Sequence, residues 1–258
     1  MLLHSQAGAA PWPAAMMVWG PGYTSTLHRH HSIQLVMALR GALQVRGGPT
    51  RRWISCHAAL ISSDSDHEVD ASNARVLIGF VDPESVLGVA LSARIVGNIS
   101  PVPEREVARW RAALRQSADS DTLRVERWVR SSLLAEQRAV KLHPRVNSVL
   151  RYLRANLGVV DDFSLPKLAR VAGLSQSRFM HVFTESIGVA LRHYILWLRL
   201  QRACAALMSG ARITEAAHRA GFSDAAHMTR TFRRMLGTTP SGLSSRRKAA
   251  RGISLEAS

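Results

Sequence analysis

The sequence has few of the residues that mark secreted, membrane-spanning or disulfide-bonded proteins. It contains only two cysteines among 258 residues, Cys56 and Cys204, and neither lies in a metal-binding motif. Two isolated thiols argue against a disulfide scaffold and suit a reducing compartment. No segment approaches 18 uninterrupted apolar residues, so we expect no membrane partner. The N-terminus lacks a charged start followed by an apolar stretch, so we expect no secretion signal and a cytoplasmic location.

Acidic residues are also scarce, with 18 Asp and Glu against 34 Lys and Arg and a net charge of +16. The excess is uneven, because residues 141–258 hold 19 basic and 6 acidic side chains, whereas residues 1–140 hold 15 and 12. A one-sided basic domain is the electrostatic pattern of a polyanion binder. A merely solvated surface would mix both signs, so a polyanion such as double-stranded DNA is the expected partner.

Motifs of the common enzyme classes are missing as well. The sequence has no recognisable Ser-His-Asp arrangement, no phosphate-binding loop and no convincing pair of carboxylates. We therefore expect no enzymatic activity and no cofactor. A length of 258 residues with 47% hydrophobic residues is nevertheless enough for two domains with real cores.

The C-terminal third contains one pattern twice. The first copy comprises Ala169, Ala172, Gly173, Ser175, Phe179, Phe183 and Gly188. The second copy comprises Ala217, Ala220, Gly221, Ser223, Met228, Phe232 and Gly237. Equivalent residues are 48 positions apart up to the serine and 49 positions apart after it. Small residues let two helices cross closely, glycine ends the first helix, and serine caps the next one. This order predicts two helix-turn-helix units, whose second helices enter the DNA major groove. The alternative is a plain helical hairpin that binds nothing.

The hydrophobic period divides the chain into two parts. Residues 14–82 show a period of two, with a break at Gly41, which predicts short antiparallel strands in a barrel or sandwich. Helical patterns cover residues 104–116 and 121–139, and Pro144 suits the first turn of a further helix. We predict an α+β protein with three segments, namely a sensing and dimerisation domain over 1–140, an all-α domain over 141–245 and a disordered basic tail over 246–258.

Residues 144–243 resemble the AraC/XylS family of bacterial transcription regulators. The supporting stretches are LARVAGLSQSRFMHVFTESIG, RHYILWLRLQRACAALMSG and ITEAAHRAGFSDAAHMTRTFRRMLGTTPSGL. The sequence departs from the family at His227-Met228, where an aromatic pair is common, and at Leu243, where Tyr is common. The resemblance implies two recognition helices joined by a linker helix near 189–209. It also implies a homodimeric regulator, more often an activator, with RNA polymerase as a further partner.

The resemblance further implies which side chains face DNA. The base-facing and phosphate-facing positions match Gln176, Ser177, Arg178, Met180, His181, Ala225, Ala226, Thr229, Arg230 and Arg233. Arg230 is suited to a bidentate contact with guanine, and Met180 to a thymine methyl group. Arg178 and Arg233 are assigned to phosphates. The alternative for Arg230 is a phosphate contact alone.

A second pattern, Gly22-x5-His28-x-His30-x3-Gln34-x6-Gly41, resembles the first cupin motif, with Gln34 where Glu is common. His67 matches the lone histidine of the second cupin motif. His28, His30 and Gln34 share one strand face, because their positions have the same parity. The resemblance implies an N-terminal cupin-like β-barrel with flanking helices.

We expect this domain to bind a small-molecule effector in a pocket lined by some of His28, His30, Gln34, Trp53 and His67. No metal is expected; if one binds, its candidate ligands are His28, His30, Gln34 and His67. The competing function is a metal-dependent cupin enzyme with an appended DNA-binding domain. Residues 104–139 are the expected dimer contact, and the alternative is that these helices only cover the barrel.

Overall fold

The computed structural model describes residues 2–4, 15–48, 52–115, 128–133, 142–156 and 163–251. Its N-terminal part is rich in strands, which are β1 (Leu2–His4), β2 (Ala15–Pro21), β3 (Ile33–Arg40), β4 (Leu43–Gly47), β5 (Ile54–Cys56), β6 (Ala58–Ile61), β7 (His67–Asp70), β8 (Arg75–Val81) and β9 (Ile99–Pro101). A larger antiparallel sheet has the order β1-β2-β8-β3-β6-β9, and a smaller one has the order β5-β4-β7. The predicted break at Gly41 separates β3 from β4, and Gly41 has a φ of 75°.

The larger sheet is buried on both faces, which explains why β3 is apolar in both of its alternating registers. Odd-numbered residues such as Leu35 pack with helices α1 (Val86–Ser92) and α2 (Glu104–Arg115). Even-numbered residues such as Val36 pack with Val45 and Val69 of the smaller sheet. Gln34 lies on this second face and is buried, so the space between the sheets holds a polar group as well as an apolar core.

The C-terminal part is helical. Its helices are α3 (Pro144–Asn156), α4 (Leu165–Ala172), α5 (Gln176–Ile187), α6 (Leu191–Ser209), α7 (Ile213–Arg219), α8 (Ala225–Leu236) and α9 (Pro240–Arg251). Pro144 begins α3, as predicted. The helix α9 continues to Arg251, so residues 246–251 are helical where the sequence predicted disorder, since no glycine or proline interrupts the chain between Gly242 and Gly252. Residues 252–258 lie outside the described ranges.

The helix α6 joins two cores. Leu198 is buried in the core formed with α3, α4 and α5, and Leu191 and Ile195 pack against that same core. These three residues of the linker helix therefore contact only the core of the first helix pair. The opposite side of α6, represented by Trp197 and Leu207, belongs to a core that also contains α7, α8 and the inner face of the larger sheet. The strand-rich and helical parts are thus packed together through α6.

The segment expected to form a dimer contact is described only in part. In α2, Val107, Trp110 and Leu114 are buried against the larger sheet, as in the covering alternative. Val129–Leu133 forms a π-helical turn, and most of residues 121–139 lies outside the described part of the chain. The dimer remains a prediction. No helix among the described residues combines the length and the apolar character of a membrane span.

Candidate DNA-binding surface and buried histidine cluster

The first helix pair, α4 and α5, has the turn that the repeat predicted. Gly173 ends α4 with a φ of 63°, and the amide N–H of Leu174 donates to the carbonyl oxygen of Ala169 at 3.0 Å. Ser175 caps α5, since its hydroxyl oxygen accepts from the backbone N–H of Arg178 at 3.3 Å. Phe179 and Phe183 are fully buried, so the opposite face of α5 is presented to solvent.

The second pair, α7 and α8, has one more residue in its turn. Gly221 has a φ of 78°, but the N-cap of α8 is Asp224, whose carboxylate accepts from the backbone N–H of His227 at 2.6 Å. The prediction that Ser223 caps this helix is therefore wrong; its hydroxyl donates to Asp224 at 3.0 Å. Both residue types are good caps, and the carboxylate also interacts favourably with the helix N-terminus. This extra residue explains why the repeat offset changes from 48 to 49.

Both second helices expose the side chains that were assigned to DNA. In α5, the exposed residues are Gln176, Ser177, Arg178, Met180 and His181, and the Met180 side chain is 49% exposed although it is apolar. In α8, Ala226, Arg230 and Arg233 are exposed, whereas Ala225 and Thr229 are half-buried. The hydroxyl of Thr229 donates to the carbonyl oxygen of Ala225 at 2.8 Å. The second surface therefore offers two long basic side chains, Arg230 and Arg233, beside small neighbours.

Three histidines meet between the two sheets. His28, His30 and His67 are at most 5% exposed, and each offers a ring nitrogen, with all three nitrogens within 4.8 Å of one another. The side-chain oxygen of Gln34 lies 2.9 Å from Nε2 of His30 and 3.0 Å from Nε2 of His67. The four predicted residues thus form one group, which we call the histidine cluster. Trp53 does not join it; this side chain is 38% exposed and packs under the guanidinium of Arg46.

Backbone carbonyls orient two of the rings. Nδ1–H of His28 donates to the carbonyl oxygen of Thr26 at 2.7 Å, and Nδ1–H of His67 donates to that of Ser65 at 2.8 Å. Nδ1 of His30 lies 2.8 Å from the Ser32 hydroxyl. A carbonyl oxygen can only accept, so in the neutral rings of His28 and His67 the proton is on Nδ1 and the lone pair is on Nε2. These partners were not predicted from the sequence, although a Ser or Thr lies two residues from each histidine and could have indicated them.

The rings of the cluster are neutral. Burial lowers the pKa of His30 to about 3, and burial is also the main cause that lowers the pKa values of His28 and His67, the latter well below the usual range. The neighbouring His31 behaves differently. Burial opposes its charge, but the hydrogen bond to Asp64 at 2.8 Å and the Glu84 carboxylate 3.7 Å from Nε2 outweigh burial and raise the pKa of His31 to about 9.

The histidine cluster is covered by the helical part of the chain. The ring of Trp197 from α6 stacks on His30 with centroids 5.6 Å apart, and its Nε1–H donates to Asp82 at 3.0 Å. The backbone N–H of Thr26 donates to the carbonyl oxygen of Gly237, the residue that ends α8, at 3.0 Å. Among the described residues, a cavity lies outside the histidine cluster. It is an open polar cleft of about 400 Å³ lined by Leu27, Arg29, Arg46, Gly47, Gly48, Asp64, Ser65, Asp66, Glu68 and Asn98.

Comparisons with known proteins identify the helical part. A family model described as a helix-turn-helix domain matches residues 168–246, which contain both helix pairs from Leu168 onward. This part of the chain is an AraC-type helix-turn-helix domain. The AraC-type domain is 35% identical over 97 residues to helix-turn-helix transcriptional regulators of Staphylococcus aureus. That alignment covers 37% of this chain but only 13% of the relatives' length.

Two further relatives extend beyond the AraC-type domain. The transcriptional regulator NimR of Escherichia coli is 23% identical over 226 residues, which are 84% of this chain and 81% of NimR. The crystal structure of ToxT from Vibrio cholerae superimposes with a TM-score of 0.55 at 11% identity, over 93% of this chain and 98% of ToxT. The ToxT likeness shows that the arrangement of a strand-rich N-terminal part and a helical C-terminal part is shared.

Proposed function

We propose that this protein is a sequence-specific DNA-binding transcription regulator with two DNA-reading helices, α5 and α8, and an N-terminal domain that senses an effector. The observation that carries the proposal is the pair of exposed faces that the AraC-type domain presents on helices of matching construction. Each follows a glycine turn, each is capped by a polar side chain, and each ends at a glycine in the left-handed region. In helix-turn-helix proteins, the second helix of each pair places its exposed face in the DNA major groove.

The spacing of the two helices supports simultaneous contact with DNA. The connecting helix α6 has 19 residues and is therefore about 28 Å long. Adjacent major-groove segments on one DNA face are about 34–36 Å apart, and the width of the two helix pairs adds to the length of α6. Since α6 packs on both cores, it holds the two recognition helices in a fixed relation.

The N-terminal domain is proposed to change DNA binding when it binds an effector. Among solved structures of similar fold, one holds wild-type ToxT with a bound unsaturated fatty acid, at a TM-score of 0.54 and 10% identity, over 94% of this chain and 96% of ToxT. In this chain, the open cleft is lined by charged side chains, including Arg29, Arg46 and Glu68. Such a lining favours a polar or charged effector, which would act by shifting the population of docked arrangements.

The test of the proposed function is selection from randomised duplex DNA by the purified full-length protein at two salt concentrations. We expect an enriched sequence with two conserved blocks about one helical turn apart. Binding that shows no enriched sequence and disappears as salt rises would contradict sequence-specific recognition, because phosphate contacts alone depend steeply on salt.

Arg230→Ala tests whether α8 reads bases. We expect it to weaken binding to the selected sequence by about 1–3 kcal/mol and to relax the preference at one base position. The matched control is Arg233→Ala on the same helix, which should weaken binding to all sequences alike and lower the salt slope by about 1. Titrations on the selected and a scrambled duplex measure both quantities. If Arg230→Ala lowers the affinity for the selected and the scrambled duplex equally, Arg230 contacts phosphate only.

A further inference from the structure

The hydrogen bonds of the histidine cluster contain one conflict. Because Nδ1–H of His67 is used by the Ser65 carbonyl, the lone pair on Nε2 of His67 points at the side-chain oxygen of Gln34, 3.0 Å away. Two acceptors at this distance repel each other unless something positive lies near both. Either Gln34 presents its amide nitrogen to the rings, or a cation accepts the lone pairs of the rings and of Gln34.

The donor set fits a transition-metal ion. Zinc binds imidazole nitrogens at about 2.0–2.1 Å, so ligand nitrogens around one ion are roughly 3–4 Å apart. The three ring nitrogens lie within 4.8 Å of one another, so closure around an ion needs movements below about an ångström. Imidazole suits Zn²⁺, Cu²⁺, Fe²⁺ and Ni²⁺, whereas Mg²⁺ and Ca²⁺ take oxygen ligands. The carbonyls that receive Nδ1–H from His28 and His67 are the outer partners that metal-binding histidines normally have.

Burial separates this arrangement from a catalytic site. A catalytic metal keeps an open position for substrate, whereas a structural site is closed by protein. All four residues of the cluster are at most 5% exposed, Trp197 stacks on His30, and none of the four lines the described cleft.

One residue, Thr26, connects the cluster to the DNA-binding half. The carbonyl oxygen of Thr26 accepts from the ring of His28, while the N–H of Thr26 donates to Gly237 at the end of α8. Three residues along, the N–H of Arg29 donates to the carbonyl oxygen of Arg234 at 3.4 Å. The position of the His28 ring therefore influences the segment between β2 and β3 on which α8 docks.

We propose that His28, His30, Gln34 and His67 bind one divalent transition-metal ion, and that the ion holds the N-terminal sheets against the end of α8. The role in regulation rests on the proposed function, but the binding of the ion does not. The ion acts as a regulatory or structural ligand that favours the docked arrangement of the DNA-binding half.

The test uses the full-length protein without a histidine tag, treated with a chelator and titrated with Zn²⁺ in a calorimeter. His67→Asn is the informative variant, because the Asn amide retains a donor for Ser65 while the Nε2 ligand is lost. The matched control is His57→Asn, whose side chain lies outside the cluster and bonds to Glu104. Circular dichroism checks that each variant is folded.

We expect one ion per chain in the wild type and in His57→Asn. In His67→Asn the affinity should fall by more than about 100-fold, since the loss of outer partners alone costs about 10–100-fold. If His67→Asn does not fold, Gln34→Glu replaces it and should tighten binding, because a carboxylate adds a negative ligand. Substoichiometric binding by the wild type, or unchanged affinity in the folded cluster variant, would overturn the site in favour of the ion-free arrangement with Gln34 as donor.

Hydrogen exchange tests the coupling separately. The backbone N–H groups of Thr26 and Arg29 donate across the contact, so Zn²⁺ should slow exchange in peptides that contain them. Unchanged exchange in the loaded protein would overturn the coupling. Failure of the DNA selection with intact Zn²⁺ binding would refute the proposed function without refuting the metal site.

Discussion

Gly237→Ala is expected to disrupt the contact between the two halves of the protein. Gly237 has a φ of 59°, and an added Cβ would lie 2.5 Å from the carbonyl oxygen of Thr26 and 2.7 Å from Nδ1 of His28. The left-handed conformation costs a non-glycine residue about 1–2 kcal/mol, and overpacking adds about 1–3 kcal/mol. We therefore expect the free energy of unfolding to fall by about 2–5 kcal/mol.

Gly188→Ala is the matched control for this substitution. Gly188 ends α5 as Gly237 ends α8, with a φ of 86°, but an added Cβ would meet no atom within 4 Å. Gly188→Ala should lower the free energy of unfolding by about 1–2 kcal/mol, because only the cost of the left-handed conformation applies. Denaturant titrations give both values, and limited proteolysis reports whether the halves separate. Equal losses and equal proteolysis in the two variants would show that the contact at Gly237 adds nothing.

Trp197→Ala should cause the second large effect. The side chain is fully buried, stacks on His30, contacts Phe80 and donates to Asp82. Truncation of a buried Trp costs about 3–5 kcal/mol because burial is lost and a cavity remains. Trp197→Phe keeps much of the packing and removes the indole N–H, so its loss should be smaller, about 1–2 kcal/mol. Denaturant unfolding measures both.

Trp110→Ala distinguishes a general loss of stability from a change at the contact. Trp110, in α2, is also buried, but it packs on the opposite face of the larger sheet, beside Trp128. Both Trp→Ala variants should be less stable, while only Trp197→Ala should speed hydrogen exchange at Thr26 under native conditions. Faster exchange at Thr26 in both variants would show that Trp197 has no specific role in the contact.

The parts of the fold that depend on local chemistry could be predicted from the sequence. Gly173 and Ser175 specify the end of one helix and the start of the next, because left-handed backbone and N-capping are properties of single residues. Alternation likewise placed Gln34 and Val36 on the same face of β3. The local error at Ser223 has a physical basis, since Ser and Asp are nearly equal as caps and stand next to each other.

The contact between the two halves could not be predicted in this way. Trp197 and Asp82 are 115 residues apart, and Thr26 and Gly237 are 211 residues apart. No periodicity in either segment marks the partner, because each residue also has a local explanation. Gly237 is a helix cap, and Trp197 resembles an ordinary residue of a long buried helix. The histidine cluster was predicted as a group from strand parity and the cupin resemblance. The shared strand face was wrong for His28 and His30, which lie before β3, and the cover of helices was not predicted.

The two backbone hydrogen bonds of Thr26 have a thermodynamic consequence for DNA binding. If Thr26 links an ion site to the docking of α8, the affinities of the protein for the ion and for DNA depend on each other. The free energy by which the ion changes DNA binding then equals the free energy by which DNA changes ion binding. A DNA sequence that favours the docked arrangement would tighten ion binding by the same factor by which the ion tightens DNA binding. A sequence that requires α8 to undock would instead release the ion. The promoter itself would then set the metal concentration at which the regulator responds.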